Sequence, residues 1–171
     1  MIRSLPLALG ALLLLGSIGD AAEVPRHVGR VNDYADVLSA EARVELENTL
    51  AAYEKETTHQ VAVLTVKSLG GESIESLSLR VSNAWGLGRK GIDNGVLVTL
   101  APVDHQVRIE LGTGMNRYVS DSDVKDIIDV TMLPAFRKGD FPGGLRRGVA
   151  RLLSACRAYQ VAKPVAAEQR R

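Results

Sequence analysis

Two short stretches carry the side chains with the richest chemistry. The first, Trp85 to Gly95, reads WGLGRKGIDNG and brings Arg89, Lys90, Asp93 and Asn94 onto a glycine-rich loop. The second follows Gly112-Thr113-Gly114 and brings Asn116, then Asp121 and Asp123. Oxygen ligands from carboxylates, amides and backbone carbonyls on flexible loops suit a hard divalent cation such as calcium or magnesium. Asp93, Asn94 and Asp121 are the candidate metal ligands. The helix start beside them would also favour an anion such as phosphate. Each feature also has a plain structural reading: Asp121 and Asp123 as helix caps, Arg89-Lys90 as a solvated loop, Asp93-Asn94-Gly95 as a turn.

Other chemistries fit less well. Gly86, Gly88 and Gly91 satisfy G-x-G-x-x-G, but a dinucleotide fingerprint must follow a strand and open a helix, so that the pyrophosphate meets the helix N-terminus. Here the predicted order is reversed, and the glycine-rich nucleotide loop ending in Lys-Ser/Thr is absent. His27, His59 and His105 stand far apart, without metal-ligand spacing. Cys156, the one cysteine, falls in helical step with Leu145, Val149 and Leu152 and reads as a buried thiol. No Ser-His or Cys-His nucleophile pair is evident.

The elements that position these loops follow from periodicity. Val24 to Leu38 reads as an extended arm with turns. Ser39 caps a helix running to about Glu56, with Ala42, Leu46, Leu50 and Tyr53 on one face. QVAVLTVKS is apolar on both faces, hence a strand covered on both sides. Ser73 caps a second helix, with Ile74, Leu77, Val81 and Trp85 facing inward, and Gly86 ends it in a left-handed conformation. VLVTL is a second covered strand, PVDH a turn, and QVRIEL an alternating, half-covered strand. Ser120 and Asp123 open a third helix, which Pro134 bends or ends. RKGDFPGG reads as a loop, and a last helix runs from about Leu145 to Tyr159. This order predicts an α/β domain with a mixed sheet.

Closing the hairpin at PVDH places Gly95 opposite Gly112 and Asp93 opposite Gly114, so the two glycine loops meet at one end of the sheet. A right-handed crossover between the first two long strands makes them parallel. Their carboxyl ends, where open α/β sheets usually bind ligands, then carry Ser68, Gly70, Gly71, Asp104 and His105. The density of candidate ligands favours the first end.

Arg3, the apolar run Leu5 to Ile18 and the small residues Gly19 and Ala21 read as a secretory leader over residues 1–21. The expected organisation is that leader, one domain over 22–160 and a polar tail over 161–171. The expected location is periplasmic or secreted, with no transmembrane anchor in the mature chain. A formal net charge of +1 gives no electrostatic footprint for nucleic acid.

VNDYADVLS (Val31 to Ser39), WGLGRKGIDNGVLVTLA, RIELGTG and LPAFRKGDFPGGL, in this order and spacing, resemble the TPM domain (TPM phosphatase) family over about Val24 to Tyr159. The resemblance implies a three-layer α/β sandwich with a mixed central sheet flanked by helices, in an exported or lumenal setting. Plant thylakoid members are associated with photosystem II repair and with calcium-binding acid phosphatase activity, and bacterial members bind divalent metals. Asp36 stands where the family commonly has Gly, which questions the tight turn there. The resemblance thus implies an exported domain that binds a divalent cation, calcium before magnesium, at Asp93, Asn94 and Asp121 and acts as a metal-dependent acid phosphatase. The cation would neutralise phosphoryl oxygens and activate a water, with Asp93 and Arg89 as the catalytic residues and the planar fork of Arg89 as the phosphate clamp. The alternative is a non-enzymatic adaptor or assembly factor for an envelope or membrane protein complex.

Overall fold

The computed structural model describes residues 23–162; the leader over 1–21 and nearly all of the tail over 161–171 lie outside them. Four strands form one sheet in the order β1-β2-β3-β4: β1 (Val31–Asp33), β2 (Gln60–Thr65), β3 (Gly95–Ala101) and β4 (Gln106–Leu111). β1, β2 and β3 are parallel, and β3 and β4 form an antiparallel hairpin. The sheet is therefore mixed, with helices on both sides.

The alternation of β2 and β3 explains their continuous apolar runs. Val61, Val63, Val96 and Val98 face a large core built with Leu46, Leu50 and Tyr53 of α1 (Ala40–Thr57) and Leu145, Val149 and Leu152 of α5 (Phe141–Ala162). Ala62, Leu64, Leu97 and Ala101 face the opposite side, where Ile74, Leu77 and Val81 of α2 (Ile74–Trp85) cover them. Ser39 and Ser73 cap α1 and α2 through their hydroxyls, and Gly86 ends α2 at φ 61°. Cys156 is fully buried.

The Val31 arm contributes more than an extended arm with turns. Three of its residues pair with Val63, Leu64 and Thr65 as edge strand β1. Asn32 bonds the Gly29 carbonyl at 2.7 Å and accepts from the Val28 amide at 2.9 Å. The buried Asp33 carboxylate accepts the amides of Val37 and Leu38 at 3.2 and 2.9 Å and the hydroxyl of Thr65. Asp36 takes φ 55°, the left-handed conformation. The tight turn thus forms without glycine, because a short polar side chain tolerates that region better than most.

Of the two outcomes the sequence allows at Pro134, a bend or an end of the third helix, the end does not occur. α3 (Asp121–Asp126) runs through a π-helical segment (Ile127–Met132) into α4 (Leu133–Phe136). Proline lacks an amide and crowds the carbonyl one turn back, and a wider turn before it accommodates both effects. FPGG is likewise not a loop. Asp140 accepts the Gly143 amide at 2.8 Å and starts α5 at Phe141, with Pro142 in its first turn. Without side chains, Gly144 and Gly148 let α5 approach Phe136 and Met132 closely.

Candidate functional site at the joined glycine loops

The hairpin has the register the turn dictates, with Val96 opposite Leu111 and Ala101 opposite Gln106. Continuing it, the Gly112 amide donates to the Gly95 carbonyl at 2.8 Å, and the Gly114 amide donates to the Asp93 carbonyl at 3.1 Å. The two glycine loops therefore join at the end of the sheet where β3 begins. Their contact is backbone on backbone: a Cβ on Gly112 would lie 2.2 Å from the Asp93 carbonyl oxygen, and one on Gly114 would lie 1.8 Å from that of Ile92.

Within the first loop, the amides of Ile92 and Asp93 both donate to the Arg89 carbonyl at 2.9 Å. Asn94 is only 2% exposed. Its side-chain oxygen accepts the Arg89 amide at 2.8 Å, and its amide donates to the Thr58 carbonyl at 2.8 Å. Asn94 is thus a strut tying the loop to the end of α1. Gln60 adds a second tie by accepting the Gly88 amide at 2.8 Å. Asp93 differs: it is exposed, holds φ 51°, and turns its carboxylate toward the second loop, where the Thr113 hydroxyl donates to it at 3.0 Å. A non-glycine residue in this region is uncommon and is often found where a side chain has a task. Arg89 is also exposed.

Asp121 lines a neighbouring cleft of about 360 Å³ with Asn116, Glu110 and Lys125; Asp93 is not among that cleft's lining residues. Asp123 is committed to its own helix. It accepts the Ser120 amide at 3.0 Å and hydroxyl at 2.6 Å, closing a capping box. These bonds hold its carboxyl below the usual carboxylate range. Among the described residues, no three His, Cys, Asp or Glu side chains gather to hold a metal ion. A cation at the joined loops would therefore draw on Asp93 plus hydroxyl, carbonyl and water oxygens, a donor set that suits calcium better than a softer metal.

At the opposite end, Asp104 accepts the Leu69 amide at 2.9 Å and the Ser68 hydroxyl at 3.4 Å, stapling two turns together. Two features here went unread in the sequence: the Asp33 hydrogen-bond hub and a cleft beside Phe136 and Phe141. Those two are the only phenylalanines in the chain, and that scarcity is the one signal that singles them out. Interior nucleophiles are quiescent. The Tyr53 hydroxyl meets His59 Nδ1 at 2.8 Å, and burial pushes the His59 pKa down and those of Tyr53 and Cys156 up. Burial thus favours the neutral imidazole of His59 and the thiol of Cys156.

A family model described as the TPM domain matches residues 31–155. Among solved structures, the chain resembles the N-terminal domain of a protein from P. gingivalis, at 30% identity and a TM-score of 0.71, covering 80% of this chain and 85% of that one. It also resembles the BA42 protein of Bizionia argentinensis, at 23% identity and TM-score 0.62, covering 71% and 83% respectively. A third likeness is to the N-terminal domain of the cg2496 protein of Corynebacterium glutamicum, at 18% identity and TM-score 0.60, covering 80% and 85%. The last two show the fold alone. No curated protein matches the chain.

Proposed function

Because the chain belongs to the TPM domain family, we propose that it is an exported domain holding a divalent cation at the joined glycine loops, calcium first and magnesium second. The observation that supports this is Asp93. It is an exposed carboxylate in a left-handed conformation, on a loop whose backbone is held by Asn94 and by the second glycine loop. Asp93 is the principal ligand, Asp121, in the neighbouring cleft, takes no direct part, and Asn94 keeps the loop in shape. A bound cation supplies Lewis acidity toward a phosphate ester. Arg89 binds the phosphoryl oxygens through its fork, and Asp93 orients the group it faces.

With few charged ligands, affinity falls in the range of about 10⁻⁴ to 10⁻³ M. Calcium at ten times its Kd then stabilises the fold by about 1.4 kcal/mol through mass action. Asp93→Asn keeps the shape and the tolerated backbone conformation but removes the charge, so calorimetric titration should show about tenfold weaker binding. Asp123→Asn, altering a carboxylate engaged with its own helix, should bind as the wild type does. Equal affinity in all three proteins would remove Asp93 from the site. Phosphate release from a phosphomonoester should be lost in Asp93→Asn and in chelator. Release that survives both would sink the catalytic reading.

A second reading, an adaptor for an envelope protein complex, draws support from Ile92, which is 50% exposed on the same loop beside Arg89 and Lys90. Cation binding without any phosphate release would favour it. Export carries its own expectation: N-terminal sequencing of the native protein should begin near Ala22, and a retained Met1 in the cytoplasmic fraction would contradict it.

A further inference from the structure

A cleft of about 520 Å³ opens at the other end of the sheet, where β3 finishes. Leu100, Pro102, Leu133, Phe136 and Phe141 form its apolar wall, and the two phenylalanine rings lie 5.6 Å apart at an interplanar angle of 34°. The polar lining is Gln106, His105 and Arg137. No acidic residue lines it. Asp140, the nearest carboxylate in sequence to Arg137, is committed to Arg147 at 3.0 Å and to the Gly143 amide. Among the described residues, none forms an ion pair or hydrogen bond with the Arg137 guanidinium.

Three further observations converge there. The cleft lies at the carboxyl end of a parallel strand, the usual ligand position in open α/β sheets. His105 ends the β3–β4 turn at φ 55°, a left-handed conformation that is uncommon for a residue other than glycine, and lines the cleft. The π-helical segment leads directly into Leu133 and Phe136, and such segments are frequent at functional sites.

We infer that this cleft binds a small apolar carboxylate. Its hydrocarbon or aromatic part lies against Phe136, Phe141 and Leu133, and its carboxylate pairs with the Arg137 guanidinium, with Gln106 and His105 alongside. The volume is that of a small-molecule site, mostly apolar with a few orienting polar groups. One unpaired guanidinium matches a planar monoanion in two parallel hydrogen bonds. A phosphate dianion asks for more donors than this lining offers. The site is separate from the cation loops, so its success or failure leaves that reading untouched.

The test is titration of the purified protein with 2-naphthoate, followed by backbone amide NMR shifts in the presence of chelator. The expected result is saturable shifts at Gln106, Leu133, Phe136, Arg137 and Phe141, with those of Asp93 and Thr113 unmoved. Arg137→Gln, at an exposed position, should fold normally and bind about fivefold more weakly or worse, the loss expected for a partly solvated charge pair. The uncharged 2-naphthalenemethanol should be weaker by a similar factor. Absence of shifts at these amides at millimolar naphthoate would overturn the inference. So would equal binding of the alcohol, or tighter binding of 2-naphthyl phosphate.

Discussion

Gly114→Ala should lower the stability of the domain by about 3 kcal/mol, at the upper end of the usual cost of overpacking. The new Cβ would lie 1.8 Å from the Ile92 carbonyl oxygen and 3.0 Å from its carbon. Both are backbone atoms and neither can swing aside like a side-chain tip. The Ile92-Asp93 peptide would have to move, breaking the Gly114 to Asp93 bond and misplacing the Asp93 carboxylate. Gly91 is the informative comparison. It sits at φ 77° with open space around it, so Gly91→Ala meets only the left-handed penalty of about 1 kcal/mol. Thermal and urea unfolding of both variants should rank Gly114→Ala as clearly worse. A loss below that of Gly91→Ala would mean that the two loops separate easily, and would remove the rigid platform on which the cation site depends.

Asp33→Ala should cost about 3 to 5 kcal/mol, since each buried donor left without its acceptor costs about 1 to 3 kcal/mol. The carboxylate has no exposed surface, and its loss orphans the amides of Val37 and Leu38 and the hydroxyl of Thr65. Arg43 also approaches it, at 3.6 Å, but the arginine is 47% exposed. Solvent screens that pair, so Arg43→Ala should cost under about 1 kcal/mol. Asp33→Asn keeps one acceptor oxygen and should fall between the two. If urea unfolding showed Arg43→Ala to be as damaging as Asp33→Ala, the cluster would be an ion pair and not a hydrogen-bond hub.

The parts of the fold legible in the sequence are those with strong local rules. The register of β3 and β4 follows from the length of the PVDH turn, and it alone brings Gly112 beside Gly95 and Gly114 beside Asp93. The capping box at Ser120 and Asp123, the left-handed Gly86 and the buried Cys156 were readable for the same reason. β1 was not, because three residues show no periodicity and the strand exists only by pairing with β2. The start of α5 was hidden because FPGG scores as a breaker, whereas Asp140 caps it and close packing against Phe136 and Met132 selects glycine. At the site, Asn94 shows the limit most clearly. Its type and place suggest a ligand, yet its amide is engaged by the carbonyl of Thr58, at the end of a distant helix. The cleft beside Phe136 and Phe141 was missed because it forms only once the π-helical segment carries the chain past Pro134.

The two borders of the sheet differ in what they offer to another polypeptide. On the β1 side only three residues are available, and the Val31 amide is already taken by the Glu47 carboxylate at 2.9 Å. A foreign strand arriving there finds almost no backbone to pair with. Among the described residues β4 has β3 on one side and no strand on the other, and it runs for six residues. Arg108 and Glu110, paired at 2.7 Å, set charged side chains along that border, which discourages indiscriminate fibril-like stacking.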